Sequence, residues 1–418
     1  MSDRLKLILQ ILGFIVIIIL LAWGIWAVFF RTPGRSIVPL RGPRVEEPTG
    51  LPQIGVGPSG RVIDIDIRTP STLVPEPELL GQDRPDVVAA GGRTLVDTIT
   101  QSRSEFSTLS SNGMFNYYDP RDERFYRLSP SGGEPVPLSS EVFRSVQDAT
   151  FSNNGNSAIL EFPDRSNIYY NFDTGVRATL PLQAQEFVFS PDDDQLAYEY
   201  IGEAEDDRWI ITATPDGQGQ QLIQPLGKES RNVAVNWSPN NQVIATFREP
   251  TSGLGEEVFF IGFNNENYLS LQTNGLGFEG EWSPKGKQVL YSVYSEGTNY
   301  NPVLHIAGAE GDNIGLGNRS LRIQTWPDKC AFASEDEVYC AVPQFLDEGS
   351  GIFREQTFST PDTIYKIDLI NNISSPIAFP ETESRSSFTI EQIMVADDGS
   401  ELYFTDRVNG RIHKLQLR

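Results

Sequence analysis

Three hydrophobic regimes follow one another along the chain. Leu7 to Phe30 is an uncharged apolar run of 24 residues, with Gln10 its most polar side chain. A helix of that length spans roughly 36 Å, more than the roughly 30 Å hydrocarbon core of a bilayer. Trp23 and Trp26 lie towards its end and Arg31 stops it, as suits indoles at a membrane interface. The run predicts a transmembrane anchor over residues 1–30. A cleaved signal peptide with a small-residue site at Ala22-Trp23-Gly24 competes with it, although such peptides usually have an apolar stretch of only about 7 to 15 residues. Residues 31–60 then hold six prolines and six glycines, and Pro70, Pro75, Pro77 and Pro85 follow. That composition cannot pack a core, so residues 31–90 read as a linker, a stalk. Arg61 to Ile67 interrupts it by alternating Val62, Ile63, Ile65 and Ile67 with Asp64 and Asp66; this fits a strand added to a domain or an apolar patch in the stalk. Across 91–418 the apolar positions recur with a period of two, the signature of strands.

Those strands repeat. The unit is an apolar strand ending in an aromatic residue and serine, a turn of Pro, Asp, Asn or Gly, then a second apolar strand. The clearest copies are Val188-Phe189-Ser190-Pro191-Asp192-Asp193, Asn236-Trp237-Ser238-Pro239-Asn240-Asn241 and Glu281-Trp282-Ser283-Pro284-Lys285-Gly286. Weaker copies begin at Leu109, Phe151, Ala333 and Val395, which makes seven. Aligned on the serine position they stand at 110, 152, 190, 238, 283, 334 and 396. Periods near 40 to 50 residues with period-two alternation indicate four-stranded propeller blades. Third strands are expected at Asn167 to Phe172, Trp209 to Ala213, Val258 to Gly262, Val303 to Ala307 and Thr363 to Leu369. Proline presets the first corner of each turn, Asp or Asn caps it, and glycine takes the left-handed exit. Trp237 and Trp282 supply bulk between neighbouring sheets.

The aromatic-Ser-Pro-Asp-Gly pattern resembles the TolB-type propeller repeat, over roughly residues 95 to 418. The resemblance implies an all-β, seven-bladed β-propeller at 91–418, and it speaks to fold rather than to function. TolB carries an α/β domain before a six-bladed propeller. This chain has an apolar helix and a stalk there, and one more repeat, so the TolB role is not carried over. A ring of sheets must close to hide its edges. The last copy supplies three strands, and Thr94 to Thr100 is the expected fourth.

Charge and composition narrow the chemistry. Acidic residues outnumber basic ones 56 to 33, a formal charge of -23, which repels phosphate backbones and argues against nucleic acid as a partner. Two histidines, His305 and His413, and two cysteines, Cys330 and Cys340, leave no histidine cluster and no four-thiolate zinc site. Both histidines fall on expected strands and read as structural. No nucleophile elbow, zinc-protease or phosphate-loop motif occurs. No catalytic residue, metal or cofactor is therefore assigned. Glu203, Glu205, Asp206 and Asp207 form an acidic loop that reads as a solvated cluster, since the ligand spacing of a calcium loop is absent. Centring a hairpin on Glu335 sets Cys330 opposite Cys340, close enough for a disulfide.

Variable loops on a rigid scaffold are the usual place for binding. The long insertion 343–362 carries Phe345, Phe353 and Phe358 beside Arg354, either as a partner-binding surface or as a lid over its own blade. The leading expectation is a membrane-anchored, extracytoplasmic, non-catalytic binding or scaffold module of the cell envelope, with an envelope protein as partner. The alternatives are a hydrolase or lyase with a carboxylate-lined site at the propeller channel, and a carbohydrate or small-ligand receptor. Arg31, Arg35, Arg41 and Arg44 outnumber Arg4 and Lys6, which by itself would keep the propeller in the cytoplasm; long domains translocate largely regardless of such charges.

Overall fold

The computed structural model describes residues 84–418, save Ser252, Gly253 and Asn265. The expected anchor, most of the stalk and the Arg61 to Ile67 segment lie outside them. Among the described residues no helix is long and apolar enough to cross a membrane. Seven sheets follow one another in sequence, six of four antiparallel strands and one that gains a fifth strand in parallel. Blades 1 to 7 begin with the strands Glu105–Leu109, Asp148–Phe151, Ala184–Phe189, Val233–Val235, Leu276–Trp282, Cys330–Ser334 and Ile390–Val395. These first strands touch those of adjacent blades, so they surround the axis, and the later strands of each meander lie progressively outwards. All five expected third strands are present, for example Asn167–Asn171 and Asp362–Asp368.

Each blade hides its apolar face against its neighbour. Trp282 of blade 5 is 8% exposed and meets Phe260 of blade 4 at 5.8 Å between ring centroids. Trp237 stacks on Phe263 of its own blade at 5.3 Å and shares a buried cluster with Ala197 and Ile210 of blade 3. In the repeated turn, serine is the fastening. Ser238 Oγ accepts from Val243 N at 2.8 Å and donates to Asn240 Oδ1 at 2.7 Å. Ser190, Ser152 and Ser283 accept from the following strand in the same way. The left-handed exit falls on Gly286 in one copy and on Asp193 and Asn241 in others; Asp and Asn tolerate it better than other side chains do. Turns also bond around the ring, as where Asp193 accepts from Asn153 N at 2.7 Å and Asn154 N at 2.9 Å.

Closure differs in detail from the expectation. Asp97–Thr98 pairs antiparallel with Ile412–Gln416, with Thr98 opposite His413, and supplies the fourth strand of blade 7. Thr94 and Leu95 belong elsewhere: Gly92–Leu95 runs parallel to Ile373–Glu381 as the fifth strand of blade 6. One short segment thus covers two edges. Buried Val96 sits at the crossing, and Arg93 pairs with Glu381 at 2.7 Å. Blades 6 and 7 are further joined by Asp362, which accepts from Lys329 Nζ and from Ile390 N, each at 2.7 Å.

Candidate functional site

Antiparallel meanders put the Ser-Pro-Asp turns on one face and the loops between second and third strands on the other, with the blade-to-blade links. The insertion after Pro343 lies on the second face and folds across its neighbours. Gly349 N and Gly351 N donate to Asn299 O and Tyr300 O of blade 5 at 2.9 and 2.8 Å. Arg354 turns inwards: it bonds Asp328 at 2.6 Å, lies 3.8 Å from Glu279, and covers the Trp326 ring at 4.7 Å. Phe358 is capped by Arg407 of blade 7 at 3.9 Å. The insertion is a strap over blades 5 to 7, and it still leaves Phe345 and Phe353 61% and 52% exposed. Of the four residues singled out here, those two face solvent, while Arg354 and half-covered Phe358 fasten the strap.

The axial channel holds a cavity of about 620 Å³ lined by Glu281, Asp328, Glu391 and Met394 among others, and by Ser110 and Pro284 towards the turn face. A smaller cavity of about 360 Å³ reaches Glu279 and Arg248. Glu281 meets solvent within the channel, yet the surrounding walls desolvate it and, with the Asp328 charge beside it, push its carboxyl up to about 7. A third cavity, about 660 Å³, lies between blades 2 and 3 and takes in Asp148, Glu161 and Gln185. Burial, helped by repulsion from Asp148 and Glu186, pushes Glu161 up to about 7. Burial and Glu186 do the same to Glu199, against the hydrogen bond it accepts from the Gln185 amide. Carboxyls poised near neutrality suit proton transfer or cation binding. Glu161 and Glu199 are such groups here; they lie far from their neighbours in sequence, and strand register sets Asp148 opposite Glu161 and Gln185 opposite Glu199.

Both histidines are inside stacks. His305 lies on Tyr291 at 5.2 Å, and His413 lies between Phe388 and Phe404 at 4.7 and 5.2 Å. Cys330 and Cys340 are in register on neighbouring strands and are joined by a disulfide. The acidic loop forms a short helical turn, Glu205–Asp207, with all three residues exposed. Among the described residues no group of three or more His, Cys, Asp or Glu is placed to hold a metal ion.

The fold and this mouth define a seven-bladed β-propeller with an acidic axial channel. No family model matches the chain and no curated protein matches it. Among solved structures, an oligogalacturonate lyase in complex with manganese is similar with a TM-score of 0.52 and 12% identity, over 79% of this chain and 99% of that one. The tricorn protease is similar at 0.50 and 9% identity, over 77% of this chain and 34% of its own length. TolB from Acinetobacter baumannii aligns at 0.42 and 13% identity, over 63% of each chain. At such identities the first two likenesses show the propeller fold alone.

Proposed function

We propose that this chain is a membrane-anchored, extracytoplasmic propeller that binds an envelope protein through its strap face and is not itself a catalyst. The observation that carries this reading is the strap: a long insertion fastened at several points yet presenting Phe345, Ile352 and Phe353 to water. Exposed apolar side chains on a fixed support are costly unless something covers them. A photo-crosslinking side chain placed at Phe345 or Phe353 in native membranes should give a discrete protein adduct. The same side chain at Val176, exposed on the turn face, should give none. Equal labelling from both positions, or none from the strap, overturns the reading.

The near-neutral carboxyls favour a second reading, in which the channel mouth takes a ligand. A hydrolase or lyase there would use Glu161 or Glu199 for proton transfer. Loss of a turnover activity in Glu161→Gln with ligand binding retained would distinguish that enzyme from a receptor.

A further inference from the structure

The links that lead from one blade to the next can carry an aromatic plug. Between blades 1 and 2, Phe143 of the link wedges against Phe125 at 5.3 Å and Tyr170 at 4.9 Å. Between blades 6 and 7, Phe388 meets Phe404 at 5.3 Å and His413 at 4.7 Å. Both plugs are buried. The link between blades 3 and 4, residues 226–232, has Leu226 as its one apolar side chain. Phe247, Phe259 and Ile261 of blade 4 and Ile223 of blade 3 stay half-buried as a result, around a cavity of about 510 Å³ that all four line.

Strand register shapes this space. Phe247 stands opposite Phe259, and their rings stack at 5.9 Å with planes 24° apart, which makes one wall flat and aromatic. A bulge in Gln221–Pro225 leaves Ile223 as the extra residue, and it lines the cavity from blade 3. Two residues further along the strand that carries Phe247, on the same face, Glu249 stands opposite Glu257. Like charges set opposite each other on neighbouring strands are destabilising. Ser270 Oγ donates to Glu257 at 2.6 Å, whereas among the described residues the Glu249 carboxylate has neither hydrogen bond nor ion pair. Glu229 and Glu266, also on the lining, are held by Asn232 and Asn264 at 2.9 and 2.7 Å. No lysine or arginine lines the cavity; Lys228 and Arg208 turn to Glu205 and to Gly227 O.

We propose that the cavity between blades 3 and 4 binds a small aromatic amine, its ring in the place of the missing plug and its cation at Glu249. A volume of this size, mostly apolar with a few polar groups at the rim, is that of a small-molecule site. A flat ring stacks on the Phe247 and Phe259 wall as Phe143 and Phe388 pack at their own interfaces. A cation beside Glu249 offsets its repulsion from Glu257, which a neutral ring would leave standing and an anion would increase. The site is separate from the strap and from the axial channel, so it goes beyond both readings of the function.

The test is titration of the full-length chain, followed by calorimetry, with tryptamine, indole and indole-3-propionate. Saturable one-site binding of tryptamine is expected, with indole weaker and the propionate weakest. Glu249→Gln should weaken tryptamine about fivefold and leave indole unchanged. Ile223→Trp fills the cavity and should abolish binding of all three, whereas Val176→Trp, on an exposed turn of blade 2, should change nothing. Thermal unfolding of each variant checks that it is folded, and Ile223→Phe, a smaller filling, should act in the same direction where Ile223→Trp does not fold. No saturable binding of tryptamine, binding that the filling variants leave intact, or equal affinity for tryptamine and indole-3-propionate overturns the proposal. Tighter binding of the blocked tripeptide Gly-Trp-Lys than of tryptamine would make the occupant a partner's side chain and overturn the assignment to a free amine. None of these results alters the strap crosslink, and loss of the crosslink would leave this titration standing.

Discussion

Lys329 Nζ and Asp362 Oδ1 lie 2.7 Å apart with side chains 7% and 0% exposed. Burial pushes the ammonium down and the carboxyl up, against their mutual attraction. Removing one partner strands a buried charge, so Lys329→Met should cost about 3–5 kcal/mol in denaturant unfolding. Replacing both by apolar residues should recover much of that loss. Two further residues give opposite pH dependences. Burial lowers His413 to about 4, against about 6.5 in an unfolded chain. Its contribution is complete above 6.5 and is lost as pH falls towards 4, because only the unfolded chain takes up the proton. Glu199 is raised to about 7, against about 4.3 unfolded. Its contribution is complete below 4.3 and is lost as pH rises through 7. Relative to the native chain, Glu199→Gln should therefore gain stability from pH 5 to 8, by about 2 kcal/mol, and His413→Phe should gain it from pH 6.5 down to 4. Urea midpoints measured across that range check both signs.

At the scale of elements, the closing segment decides whether the ring has bare edges. A chain beginning at Pro85 keeps Gly92–Leu95 and Asp97–Thr98, whereas one beginning at Gln101 loses both and uncovers Ile373–Glu381 and Ile412–Gln416. The first should be monomeric with one cooperative transition; the second should be less stable and self-associate through its open edges. Size-exclusion chromatography with thermal unfolding separates them, and identical behaviour would show that closure contributes little. The blades were legible because each copy pairs an alternating strand with a turn of restricted chemistry. The parallel pairing of Gly92–Leu95 was not, since Gly-Arg-Thr-Leu has no alternation that selects a partner. The serine fastening was visible as a repeated letter, but its hydrogen bonds depend on the turn being formed. Insertion length exposed the strap, although only coordinates show that Arg354 faces inwards. The carboxylates of blades 2 and 3 were hidden because their proximity comes from register between strands and from neighbouring blades.

At the scale of the whole molecule, the proposed membrane anchor makes the side on which the propeller works a testable property. The arginines after Phe30 favour the cytoplasm by the positive-inside rule, which loses force before a domain of this length. The cysteines provide an independent measure. Cys330 and Cys340 are 7% and 0% exposed and bridge the first two strands of blade 6, away from the mouth carboxylates of blades 2 and 3. Reducing compartments rarely keep such a bond, and none is needed to hold register where Ala331 already faces Tyr339 and Phe332 faces Val338. Protein taken from native membranes, unfolded and alkylated without reductant, should therefore show neither cysteine labelled, and a reporter fused after Arg418 should be active only outside the cytoplasm. Labelling of both cysteines together with a cytoplasmically active reporter would place the strap and the acidic mouth inside the cell. An unlabelled pair with an inactive cytoplasmic reporter would restrict their partners to the envelope, where the strap aromatics and the carboxylates of blades 2 and 3 would be reached from the same face.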